Sequence, residues 1–82
     1  MEFLVREYVD NLTEDNIKKY ALKKGIKTTD DEIKIIYLYI KNYWRVFLKG
    51  DSKELFDELK EKLQPNTYNI LLNLFNEYKS KI

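Results

Sequence analysis

Residues 32–48, EIKIIYLYIKNYWRVFL, read as a helix whose apolar surface is too wide for a small domain to hide easily. At about 100° per residue, Ile33, Ile35, Ile36, Tyr37, Tyr39, Ile40, Tyr43, Trp44, Val46 and Phe47 cover roughly 200° of its circumference, against roughly 100° for an ordinary surface helix. Such a helix is either the centre of a bundle or an interface. Everything else in the chain must be arranged around it.

The room for that arrangement is limited. Eighty-two residues make one domain, 1–82, near the lower size limit for folding without staples. The sequence has no cysteine and no histidine. That removes disulfides, thiolate metal sites, and the commonest metal ligand and general base, and no cofactor is implied. The apolar share of 44% and the charged share of 35% belong to a soluble globular chain. No apolar run reaches the roughly 18 residues of a membrane span. The opening MEFLVREYVDNL carries Glu2, Arg6, Glu7 and Asp10 within its apolar pattern, unlike a signal-peptide core. A cytoplasmic protein without a membrane partner is expected.

Punctuation divides the chain into five helices. The first spans Glu2 to Asp10, with Phe3, Leu4 and Tyr8 facing inward, joined by Val5 and Val9 as further candidates. Thr13 is a good N-cap for a helix from Glu14 to Lys24, with Ile17, Tyr20 and Ala21 inside. Gly25 stands where a left-handed residue ends a helix, and Ile26 follows as its apolar contact. Thr29 with Glu32 forms a capping box that starts the long helix near Asp30, and Gly50 ends it. Asp51 with Glu54 signals a fourth helix, whose narrow stripe of Leu55, Phe56, Leu59 and Leu63 suits a surface position. Pro65 ends that helix at Gln64 and begins a fifth. The fifth helix has a broad face of Tyr68, Leu71, Leu72, Phe75 and Tyr78, to which Ile70 and Leu74 are candidate additions, and Asn69, Asn73 and Asn76 face water. With short connections and no period-two segment, the fold class is all-α, a small bundle centred on helices three and five.

The run NLTEDNIKKYALKKGIKTTDDEI, the apolar helix, the Gly-Asp break, LFDELKEKL and the proline-initiated helix resemble the small, uncharacterised YqfT-like proteins of spore-forming Gram-positive bacteria. The matching elements are Leu12-Thr13, Tyr20-Ala21, Ile26, Thr29, Leu55, Leu59 and Pro65, over about residues 11 to 80. The resemblance implies a bacterial helical domain of unknown function and supplies no catalytic or binding residues.

Two kinds of surface compete as binding sites. Leu38 stands in the polar arc of helix three, Leu22 on the outer face of helix two, and helices three and five are broad. Leu38, Tyr39, Tyr43, Trp44 and Leu72 are therefore the candidate protein interface, for a partner or for self-association. Trp44, at the margin of the apolar arc, is expected to be mostly buried with its indole edge near the surface.

The second surface is basic. Residues 16–49 hold nine bases and three acids, whereas residues 1–15 hold one base and five acids. Lys18, Lys19, Lys23, Lys34, Lys41 and Arg45 are the candidate nucleic-acid contacts of an alternative reading, since bases beside Tyr37 and Trp44 can track a phosphate backbone and stack on nucleobases. A helix-turn-helix built on Ala21 and Gly25 is disfavoured, because Asp30, Asp31 and Glu32 would open the recognition helix against phosphate. Lys18, Lys19, Lys23, Lys24 and Lys27 would be the phosphate contacts of a SAP-like helix-loop-helix module, but Lys18, Lys19 and Lys23 lie opposite Ile17 and Tyr20, and an ordinary solvated face is the favoured reading.

Catalysis has little to work with. The serines, Ser52 and Ser80, have no histidine to activate them. Carboxylate pairs such as Asp57 with Glu61 sit at polar helix positions, where nothing would separate their pKa values. A non-enzymatic interaction domain is the leading expectation.

Overall fold

Two reciprocal caps fix where the chain turns. In this computed structural model the backbone is described for residues 2–50 and 52–79, and side chains for residues 5–47, 50 and 52–77. Helix α1 covers Glu2–Asn11 and α2 covers Glu14–Lys23. Between them Thr13 accepts the Asn16 amide at 3.1 Å, and the Asn16 side chain accepts the Thr13 amide at 3.0 Å. Helix α3, Asp30–Lys49, begins with the expected box. Thr29 Oγ1 accepts the Glu32 amide at 3.1 Å, and Glu32 accepts the Thr29 amide at 3.2 Å.

The end of α2 closes as its sequence demands. Gly25 adopts φ +72°, the Ile26 amide reaches back to the Ala21 carbonyl, and the Gly25 amide reaches Leu22. These two bonds satisfy carbonyls the helix would otherwise leave open.

Helix α4, Lys53–Lys62, stops two residues before the expected Gln64, and α5, Pro65–Lys79, begins at the proline. The cause is steric and polar together. A residue before proline is pushed out of the helical region, and the Gln64 amide bonds to Glu32 of α3 rather than to a preceding turn. Ser52 precedes α4 without a side-chain cap bond, and the expected cap at Asp51 lies outside the described residues.

Helix α3 packs on α1, α2 and α5, while α5 also meets α2 and α4. The two broad helices are thus the centre, and the 18 Å short dimension of the Cα envelope is two helix layers deep. Among the described residues every regular element is helical, and the fold is the all-α bundle of five helices. The core joins Val5 and Val9 of α1, Ile17 and Ala21 of α2, Ile33, Ile36, Ile40 and Phe47 of α3, Leu59 of α4, and Ile70, Leu71 and Leu74 of α5. Four rings, those of Phe47, Phe56, Tyr68 and Phe75, fill the seam of α3, α4 and α5 with centroid separations of 5.1 to 6.5 Å.

One expected inner residue is turned out. Tyr8 is 47% exposed, and Val5 and Val9 are buried in its place. Val5 and Val9 lie one turn apart on the side of α1 that meets the core, and Leu12 extends that side beyond the helix; Tyr8, about 100° from Val9, stands at its edge beside the groove that Leu12 also lines. The side chains of Phe3, Leu4 and Tyr78, also expected inside, lie outside the described residues.

Candidate interaction face

Helix α3 is apolar on two sides, and the bundle covers one of them. Ile33, Ile36, Ile40 and Phe47 are buried. On the other side Leu38 is 44%, Tyr43 41% and Val46 38% exposed, with Ile35 and Tyr39 half-buried beside them and Asn42 exposed. At about 100° per residue, Ile35, Leu38, Tyr39, Asn42, Tyr43 and Val46 fall within one arc of roughly 140°. Asn42 is the polar one of these six, and Asp31, in the first turn, falls within the same arc. The 200° width therefore divides into a core half and an outer half. Val46 belongs to the outer half, whereas half-buried Ile35 and Tyr39 pack against the core from its edge.

The outer arc is stiffened from α4. Tyr39 donates its hydroxyl to Glu58 Oε2 at 3.1 Å, and its ring leans on Tyr43 with centroids 5.6 Å apart. Partial burial raises the Tyr39 hydroxyl pKa. The bond to Glu58, its negative charge and neighbouring Tyr43 push it the same way, so the phenol stays a neutral donor at physiological pH.

Trp44 and Leu72 stand apart from that arc. Trp44 is half-buried, packs against the core, and helps enclose an apolar void of about 20 Å³ with Val5, Ile40, Phe47, Phe56, Leu71 and Phe75. Such a space is a packing defect rather than a ligand site. Leu72 is half-buried on α5. That helix turns Ile70, Leu71 and Leu74 into the core and contributes no large exposed apolar residue among those described.

The basic residues are placed singly. Lys41 donates its ammonium to the Val9 and Asp10 carbonyls, the latter at 3.1 Å, and so caps the last turn of α1 from a neighbouring helix. The Arg45 guanidinium lies over the Trp44 ring at 5.0 Å, Lys18 lies 4.0 Å from Asp30, and Lys19 lies 3.0 Å from Asp15. Lys23 and Lys34 are exposed.

A groove of about 570 Å³ runs between α1, α2 and α5, lined by Tyr8, Leu12, Ile17, Tyr20, Leu74 and Glu77 among others. Burial raises the Tyr20 pKa, and the charge of Glu77 and a hydrogen bond to it add to the rise. The described residues contain no cluster of three or more acids able to hold a metal ion, and no helix among them is long and apolar enough to cross a membrane.

No protein-family model, curated protein or solved structure matches the chain. The likeness to YqfT-like proteins rests on the residues quoted for it.

Proposed function

We propose that this chain is a non-enzymatic helical interaction domain that docks a protein partner, or a second copy of itself, through the outer arc of α3. The observation that carries this reading is the exposure of Leu38, Tyr43 and Val46 on one side of a helix whose adjoining side is already in the core. Large apolar residues gathered on one surface of a folded domain commonly mark a docking site. The aromatic members suit that role, since tyrosine brings large contact area with few rotatable bonds. The cellular setting proposed with it is the cytoplasm.

Light scattering of the wild type and of a Leu38→Lys, Tyr43→Lys variant tests this reading, alongside affinity capture with each as bait. The double variant should melt within a few degrees of the wild type, since exposed positions contribute little to stability, and should lose the association the wild type shows. A double variant that unfolds, or that associates as the wild type does, overturns the assignment. So does a wild type that associates with nothing.

The nucleic-acid reading has less support. Of its six residues, Lys41 caps α1, Arg45 covers Trp44, and Lys18 and Lys19 face acids. Affinity for single-stranded or duplex nucleic acid that falls steeply between low and physiological salt would favour it.

A further inference from the structure

The groove between α1, α2 and α5 has no described lining residue on α3, so it stands apart from the docking face. We propose that it binds a free linear di- or polyamine, with the methylenes on its apolar floor and the ammonium groups at Glu7 and Glu77. Its volume of about 570 Å³ falls inside the range of about 300 to 1,000 Å³ usual for small-molecule sites. Leu12, Ile17 and Leu74 line it and are buried, which makes the floor apolar. Around that floor stand the rings of Tyr8 and half-buried Tyr20, and the exposed carboxylates of Glu7 on α1 and Glu77 on α5. No base is among the described residues that line it, and the α1 wall comes from the acid-rich first fifteen residues.

Two exposed carboxylates alone would attract any cation and select none. The floor supplies the selection. A hydrated metal ion gains nothing from Leu12, Ile17 and Leu74, and no group of three or more acids gathers among the described residues to replace its water. An alkylamine lays its stem along such a surface and keeps its charged end in water. The tyrosines add a second preference, since a ring face attracts an ammonium within about 6 Å of its centroid. The chain already makes this contact with a side chain of its own, for Lys24 Nζ lies 5.6 Å from the Tyr20 centroid. The Tyr20 hydroxyl bonds to Glu77 and so ties ring and carboxylate together between α2 and α5. An ammonium drawn to one is beside the other. Acids on two separate helices, with apolar surface in the same groove, match a chain charged at both ends better than a single charge.

Amide chemical shifts of the full chain, followed while spermidine is added to about 10 mM at low salt, test the assignment. The shifts should saturate and should gather on residues 7–20 and 74–77. The Glu7→Gln, Glu77→Gln variant keeps the shape of both side chains and should weaken spermidine by about five-fold or more, as loss of two exposed ion pairs predicts, with an unchanged circular dichroism spectrum. A Glu54→Gln, Glu61→Gln variant makes the same change in net charge on α4, away from the groove, and should leave the affinity within about two-fold of the wild type. Mg²⁺ at matched ionic strength should not reproduce the shifts. Equal weakening by the two double variants, or the same shifts with Mg²⁺, means that the chain reads charge rather than an amine and overturns the proposal. A lysine-rich peptide that binds the groove where spermidine does not overturns it in favour of a protein partner, and so does the absence of any saturable shift overturn it. The docking face on α3 is untouched by each of these outcomes.

Discussion

Glu32, near the start of α3, accepts the backbone amide of Gln64, the residue before α5, at 2.9 Å. The same carboxylate closes the capping box with Thr29, so one buried side chain serves the N-termini of two helices. Burial alone would raise its pKa. The Gln64 and Thr29 amides, with smaller help from the hydroxyls of Thr67 and Thr29, outweigh it and hold the carboxyl below the ordinary glutamate range. The Thr67 hydroxyl is fully buried and assists without closing a hydrogen bond of its own.

A carboxylate with a lowered folded pKa contributes stability that is fully present above its unfolded value of about 4.3 and is lost as pH falls through the folded one. Glu32→Gln should therefore cost about 1 to 3 kcal/mol near neutral pH, the range for a charged hydrogen-bonding group. Its stability should also fall less steeply below about pH 4.5 than that of the wild type. Urea titrations between pH 3 and 7 on both proteins check the magnitude and the sign.

Lys41→Met keeps the aliphatic stem and removes the ammonium that caps α1. It should lower stability by about 1 kcal/mol, as expected for a partly buried cation at a helix C-terminus. Hydrogen exchange should locate the loss in α1, with amides between Val5 and Asn11 exchanging faster relative to those of α5. Uniform acceleration would show that the cap has no local role.

Trp44→Ala should destabilise the fold by about 2 to 4 kcal/mol, somewhat below the usual range for a fully buried aromatic, because the indole is only half-buried and Arg45 covers its face. Thermal melts of this variant separate a packing role from a docking role. A melting temperature near the wild-type value, with association lost, would assign Trp44 to the interface instead.

Gly25→Ala isolates a backbone effect. A Cβ at Gly25 would meet nothing within 4 Å, so the φ of +72° is the whole obstacle. The expected cost is about 1 kcal/mol. Chemical denaturation would read it, and a neutral result would mean that the α2 terminus relaxes to another turn.

The helix ends were legible in the sequence because caps are local. Thr29 and Glu32 are three residues apart, and Gly25 needs no partner beyond its own turn. The rotation of α1 was not legible, since Val5 with Val9 and Tyr8 lie on different sides of the same ten-residue segment, and only contact with the rest of the bundle selects between them. Pairing across distance was hidden for a different reason. Lys41 looked like one more solvated charge because its acceptors are main-chain carbonyls, which no side chain announces. The division of α3 into core and outer arcs could not be read either, because a width of 200° does not say which half its neighbours cover.

The links from Glu32 to Gln64 and from Lys41 to Val9 each join residues 32 apart, farther along the chain than the Tyr39–Glu58 bond, whose partners are 19 apart. Closing such loops carries an entropic cost that local turns avoid. Both links are polar and directional, so apolar collapse must bring their partners near before either can close. Folding should accordingly be fast, in the microsecond-to-millisecond regime of chains rich in local contacts, with α1 and the α4–α5 junction locking last and α2 with the first turns of α3 ordered early.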